Sequence, residues 1–309
     1  MSGRAEETAR RVAGTGGLDG LRDLTDTIAT MEKLRAETIG ELRRRPDASW
    51  EEIGRACGMT RQGAARRWSS AAQAASFGEA AGAYQRGRPD YPETAVAWLV
   101  PPRAKRVLDL GAGTGKLTRS LVDAGFTVTA VEPSAQMRSQ LADSVPGPRV
   151  LAGSAENIPL DDGSVDAVVA AQAWHWFDPA LAVPEAARIL APGGTLALVW
   201  NIRDESVPWV AALGALMHQK TEQAIDTHPD IGGPFGPPER AEFRWSRPMT
   251  RDALRDMVSS RSYVITLPDT EREHLLADVD EFLREHPDLR GQKKITLPYV
   301  TYCTRARRA

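Results

Sequence analysis

"RVLDLGAGTGKL", Arg106 to Leu117, is an apolar run that breaks into three glycines and then resumes with helical spacing. A strand, a glycine turn and a helix in that order let a backbone approach a nucleotide-like ligand closely. Two common glycine loops are excluded by the residues present. A dinucleotide fingerprint needs a third glycine three positions after the second, and Lys116 stands there. A phosphate-cradling loop needs a glycine five before that of its Gly-Lys pair and a hydroxyl after the lysine, where this chain has Leu110 and Leu117. What remains is Asp109-x-Gly111-x-Gly113-x-Gly115, with Glu132 at the tip of the next strand in "VTAVEPS". A carboxylate there can accept both hydroxyls of a ribose, two charge-assisted hydrogen bonds worth roughly 1.5–3 kcal/mol each.

Outward from the glycine loop, extended apolar runs alternate with helical stretches. Arg106–Leu110, Val128–Val131, Val150–Leu151, Val165–Ala170 and Leu196–Trp200 read as strands. Leu117–Ala124, Ala135–Asp143 and Ala180–Leu190 read as helices, and a final strand is expected at Ile295–Thr304. Such alternation implies an α/β fold with a parallel sheet covered on both faces.

From Phe77 to the end, the chain resembles the class I S-adenosylmethionine-dependent methyltransferases, in particular small-molecule enzymes of the type 11 and trans-aconitate-like kind. The resemblance implies a Rossmann-like, seven-stranded, mostly parallel sheet and S-adenosylmethionine as cofactor. Asp109, Gly111, Gly113 and Gly115 match the family's acidic-glycine signature beside the methionine portion, and Glu132 matches its ribose carboxylate. Pro133, Ser134 and Met137 match the following turn, with Met137 packing on the adenine. "GSAENIPL" matches the segment after the third strand, with Ala155 and Glu156 in pattern. Ser154 stands where the family usually has an aspartate for the adenine amine. "LAPGGTLALVW" matches the segment entering the fifth strand, where Pro192, Gly193 and Gly194 are expected to form a tight turn.

The fourth strand ends in "AQAWHWFDP", which puts Gln172, Trp174, His175 and Trp176 at the carboxyl edge of the sheet, where open parallel sheets bind ligands. Methyl transfer from a sulfonium needs mainly positioning. Where the acceptor must lose a proton, His175 is the nearest candidate base; its other reading is a structural or cofactor-touching ring. Trp174 and Trp176 suit either the sulfonium or plain wall. "GEAAGAYQRGRPDYP" resembles the amino-terminal lid of such enzymes, with Tyr84, Arg88 and Tyr91 closing over the cofactor and Arg88 reaching its carboxylate; the alternative is a segment that packs the sheet. Amino-directed DNA methylation is excluded, because the fourth strand lacks the Pro-Pro-aromatic ending that such enzymes share, and neither cysteine sits in a Pro-Cys pair for C5 attack. A small-molecule methyl acceptor is therefore expected.

Residues 1–76 read as a separate, all-α module after a polar, Gly-rich start. Leu21, Leu24, Ile28, Met31, Leu34, Ile39 and Leu42 recur at steps of mostly three and four, an amphipathic helix. Ser49 with Glu52 forms a capping box for a short helix ended by Gly58, and Thr60 can cap a second to about Ser70, together a helix-turn-helix. Arg61, Gln62 and Arg66 on the second helix suit phosphates and major-groove edges, so DNA is a candidate partner, with a homodimer formed through the apolar stripe. The same geometry serves protein contacts, and the module's charge is only slightly positive. Three arrangements follow: an enzyme with a fused binding module, an enzyme merely dimerised by it, and a transcription regulator that uses the methyltransferase fold as an S-adenosylmethionine sensor.

Composition bounds these readings. With 309 residues two domains are expected, and a net charge of −2 gives no global pull toward nucleic acid or membrane. There is no apolar run of spanning length, and the amino terminus is polar, so a cytoplasmic protein without membrane association is expected. Cys57 and Cys303 lack metal-type spacing with the five histidines, so no metal and no disulfide is expected.

Overall fold

The computed structural model describes residues 89–217, 226–261, 264 and 267–309, together with 49–58 and scattered positions between 20 and 42. The chain divides into two compact units, Met1–Ala75 and Ser76–Ala309.

In the first unit the described positions between 20 and 42 are helical. Ile39 is buried, whereas Ile28, Met31 and Leu34 are 54–55% exposed. Helix α1 (Trp50–Ala56) opens on the expected capping box: the Ser49 hydroxyl accepts the Glu52 N–H at 3.2 Å, and the Glu52 carboxylate accepts the Ser49 N–H at 2.8 Å. Cys57 N–H closes the last turn, Gly58 follows at φ +68°, and Ile53 is buried. The expected second helix, with Thr60, Arg61, Gln62 and Arg66, lies outside the described residues, as do Tyr84 and Arg88.

The second unit is a seven-stranded sheet in the order β3-β2-β1-β4-β5-β7-β6. After α2 (Glu93–Leu99), β1 (Arg106–Leu110) leads through the glycine loop into α3 (Lys116–Asp123). β2 (Thr127–Val131), α4 (Ala135–Ser144), β3 (Arg149–Leu151), β4 (Val165–Ala171), a 3-10 turn (Trp174–Trp176), α5 (Pro179–Ile189) and β5 (Leu190–Arg203) follow. β1 to β5 are parallel, and β7 (Ile295–Arg307) is antiparallel between β5 and β6 (Glu239–Met249). Helices α6 (Pro208–Met217), α7 (Arg251–Ser259) and α8 (Asp269–Glu285) complete the unit.

The central strands read as unbroken apolar runs because both their faces are covered. Leu108, Leu110, Val168, Leu198 and Trp200 enter one core cluster, while their neighbours Val107, Ala167, Val169 and Val199 enter another. Each fully buried Leu or Val stabilises the fold by about 1.5–3 kcal/mol relative to exposure. A third cluster packs α6, α7 and α8 on Met249, Leu297 and Tyr299, at the ends of β6 and β7. Cys303 is buried beside Val199, as a small side chain suits.

One local expectation is corrected. Pro192, Gly193 and Gly194 do not form a separate turn; they lie within β5, which begins at Leu190 opposite Val165. The register then jumps to Ala167 opposite Thr195, so the strand absorbs the extra residues as an irregularity, with Gly193 at φ +68°.

Candidate active site

Strand order reverses between β1 and β4, so the crevice beyond their carboxyl ends is where an open sheet receives ligands. The glycine loop enters it from β1. Gly111 and Ala112 donate to the Val131 carbonyl at 2.9 and 3.1 Å, tying the loop to the end of β2. All three loop glycines have positive φ, but for different surroundings. A Cβ at Gly111 would stand 2.8 Å from the Ala173 Cβ, and one at Gly115 2.8 Å from Leu141, so these two are close packing points against the β4 exit and α4. At Gly113 the nearest atom would be the Met137 sulfur at 3.8 Å. Of the three, only Gly113 would let a Cβ stand at ordinary van der Waals distance from its neighbours.

Glu132 is buried and held from two sides. Its carboxylate accepts the Gly113 N–H and the Ser134 N–H, each at 2.9 Å. Burial pushes its acidity toward higher pH, opposed by those two amides and by Arg138. Arg138 clamps the same corner by donating to the Glu132 and Pro133 carbonyls at 2.7 Å each. Pro133 itself is exposed, and Met137 is buried on α4, its N–H donating to the Ser134 cap at 3.4 Å.

Asp109 lies fully buried at the end of β1. The Thr118 hydroxyl donates to its Oδ2 at 2.6 Å, while its Oδ1 has no hydrogen-bond partner among the described residues. Desolvation pushes its acidity up to about 7, with the Glu132 charge adding to the rise and Thr118 opposing it. Two buried carboxylates at one loop favour a ligand that brings positive charge, because a cation offsets part of their desolvation cost and screens their mutual repulsion.

Ser154 and Asn157 pair backbone to backbone at 3.3 and 3.4 Å, Ala155 is buried in the main core, and Glu156 accepts the Asp178 N–H at 3.0 Å. The Glu156 carboxylate thus ties the segment after β3 to the turn after β4. Gln172 ends β4 at φ +55°, the only non-glycine among the described residues with positive φ. Its N–H donates to the Val199 carbonyl and its side-chain amide to the Asn201 carbonyl, both at 2.9 Å. That left-handed residue turns the chain out of β4 into the 3-10 turn. There Trp174 is buried in the core, edge-on to Phe177 at 5.7 Å, which makes it wall. His175 is exposed, with its ring 4.6 Å from that of Trp176.

Several residues that shape this crevice carried no motif. Lys116 pairs with Asp90 at 3.0 Å, and Asn201 donates to the Asp90 carbonyl at 3.2 Å, so the segment before α2 is fastened to α3 and β5 at once. The Thr301 hydroxyl donates to Asn201 Oδ1 at 2.6 Å and accepts from the Trp245 indole at 2.8 Å. A hydroxyl one turn into the helix after the glycine loop was a readable signal for Thr118; Asn201 had none.

Residues 108–198 match the family model described as a methyltransferase domain. An uncharacterized methyltransferase of Mycobacterium tuberculosis is 51% identical over 233 residues, which cover 75% of this chain and 95% of the relative. The chain belongs to the class I S-adenosylmethionine-dependent methyltransferases. A methyltransferase-like protein of Schizosaccharomyces pombe is 34% identical over 231 residues, covering 71% of this methyltransferase and 90% of the relative. A solved structure of a putative type II methyltransferase from Anaeromyxobacter dehalogenans superposes with a TM-score of 0.52 at 27% identity, over 71% of the methyltransferase and 96% of that chain. The cofactor of this methyltransferase is S-adenosylmethionine. Among its described residues no helix is long and apolar enough to cross a membrane, and no cluster of His, Cys, Asp or Glu is arranged to hold a metal.

Proposed function

We propose that the methyltransferase transfers a methyl group to a small-molecule acceptor presented at the exit of β4. The observation that carries the cofactor placement is the Glu132 carboxylate, buried and aimed by Gly113 and Ser134 beside the one loop glycine that is not a tight packing point. Glu132 takes the ribose hydroxyls, while Gly111, Gly113 and Gly115 keep the backbone close. Pro133 and Met137 border the adenine, together with Ser154, Ala155 and Glu156. The orphaned Asp109 Oδ1 suits the ammonium of the methionine portion, since it offers a buried acceptor with no competing donor among the described residues. When bound, the cofactor supplies an activated methyl group on a sulfonium sulfur.

On the acceptor side, Gln172 is held at the strand end by Asn201 and borders the methionine portion. His175, exposed on the next turn, takes the acceptor proton where one must leave. Tyr84 and Arg88, which precede the segment fastened by Lys116 and Asn201, close over the cofactor, with Arg88 pairing to its carboxylate. The amino-terminal module is a helix-turn-helix in this reading, supported by the Ser49–Glu52 capping box. Arg61, Gln62 and Arg66 contact DNA, and the exposed Ile28, Met31 and Leu34 pair two chains. Relatives named as methyltransferases favour turnover over the sensing-only alternative.

The deciding experiment incubates the purified protein with methyl-labelled S-adenosylmethionine and fractionated metabolite extracts, and reads transfer by mass spectrometry. A labelled small molecule is expected; label found only on protein or nucleic acid overturns the acceptor class.

A further inference from the structure

The segment from Gly153 to Leu160 has few backbone pairings of its own, the Ser154–Asn157 bridge and the Leu160 N–H donating to the Ile158 carbonyl at 2.8 Å, so it needs support from outside. It lies against the cofactor cradle. A Cβ at Gly153 would stand 3.1 Å from Val131, the neighbour of Glu132, and the Glu132 N–H donates to Leu151 at 3.2 Å. Support comes from two side chains one turn apart on α5. Arg188 donates to the carbonyls of Ile158 at 2.9 Å and Leu160 at 2.8 Å, to Asp162 at 2.7 Å, and twice to Glu185 at 2.8 and 2.9 Å. These contacts use all five guanidinium donors. Glu185 in turn accepts the Ile158 N–H at 3.0 Å, so the pair holds both backbone groups of Ile158 as the edge of a strand would. Beyond it, the Gly163 N–H donates to the Arg188 carbonyl at 3.0 Å.

We infer that Arg188 and Glu185 are a positioning pair for the cofactor, holding the 153–160 backbone at the adenine side of the Glu132 cradle. This rests on the site placement proposed above. It bears on how the chain manages with Ser154 where the family usually has an aspartate: a short hydroxyl reaches less far than a carboxylate, so its backbone must be held more exactingly in place. The pair touches neither cofactor nor acceptor, and acts only through Ile158 and Leu160. Glu185 is held ionised by Arg188 first and by the Ile158 amide second, against the cost of its partial burial.

The test uses the full-length protein and four variants: Arg188→Met, Glu185→Ala, Glu185→Gln and Glu132→Ala. Cofactor affinity is measured by calorimetry on the folded fraction, turnover at saturating S-adenosylmethionine, and amide exchange across 153–160. Arg188→Met and Glu185→Ala are expected to raise the cofactor Kd about tenfold or more and to speed exchange at Ile158, with kcat at saturation within a few-fold. Glu185→Gln, which keeps an acceptor for the Ile158 amide, should recover most of the affinity. Wild-type Kd in both Arg188→Met and Glu185→Ala, with a lowered melting temperature only, makes the pair structural and overturns the inference. Should Glu132→Ala itself bind normally, the cradle placement fails; weakened binding there with normal binding in the α5 variants rejects the positioning pair alone. If Arg188→Met does not fold, Glu185→Ala against Glu185→Gln decides by the same readouts.

Discussion

The Gly113 N–H donates to the Glu132 carboxylate at 2.9 Å, so the glycine loop after β1 and the acid after β2 form one unit. A ligand held by Glu132 is thereby placed over Gly113, and disturbing either residue disturbs both. Glu132→Ala removes the acceptor of two amides as well as the ribose partner. Gly113→Val forces a branched residue to φ +56° and pushes it toward Met137. Calorimetry should show S-adenosylmethionine binding weakened about tenfold to a hundredfold or more in each, in Glu132→Ala from the loss of charge-assisted hydrogen bonds worth roughly 1.5–3 kcal/mol each and in Gly113→Val from the displaced loop backbone. Wild-type affinity in both variants removes the cradle.

Asp109 links stability to pH. Its folded-state acidity sits at about 7 against an unfolded value of 3.8, so between those values the folded state holds a proton that the unfolded chain has released. This group's contribution to stability is therefore present below about pH 4, falls as pH rises toward 7, and is flat above. The slope is at most one proton, about 1.4 kcal/mol per pH unit. Asp109→Asn keeps an acceptor for Thr118 and should flatten this part of the cofactor-free melting profile while weakening cofactor binding. Identical profiles for both proteins between pH 4 and 7 contradict the assignment.

His175→Ala addresses the proton. If the exposed imidazole accepts it from the acceptor, kcat should fall by about 10²–10⁴ with cofactor affinity nearly unchanged. Turnover within a few-fold of wild type assigns the ring to the wall and leaves the reaction to positioning.

For the amino-terminal module, the full-length protein is expected to select a palindromic duplex from a random pool, with binding that weakens steeply with salt. Arg61→Ala combined with Arg66→Ala should abolish the selected band in a mobility-shift assay. An unselective wild type, or a double variant that binds unchanged, makes the module an assembly element.

The strands bordering the crevice were readable because each is a short apolar run covered on both faces, and the glycines because their pattern permits so few ligands. β6 was not. It is an edge strand whose sequence, ERAEFRWSRPM, alternates charged with aromatic or small residues and carries Pro248, which an edge tolerates but which signals a break when read alone. Helix α7 did carry a local signal, a Thr250 cap followed by Leu254, Met257 and Val258 on one face, but its packing against α6 and α8 depends on residues far away in sequence.

The sequence by itself determined the glycine loop between β1 and α3, the strand and helix periods, and the presence of Asp109 and Glu132 at consecutive strand ends. These are properties of residues and near neighbours. Only the tertiary structure decided that Asp109 is wholly buried with one oxygen unmatched, that Trp174 is wall while His175 is exposed, and that Arg188 holds a loop up to thirty residues away. Burial, charge repulsion and hydrogen-bond pairing depend on which segments the sheet brings side by side, and no local spacing encodes that.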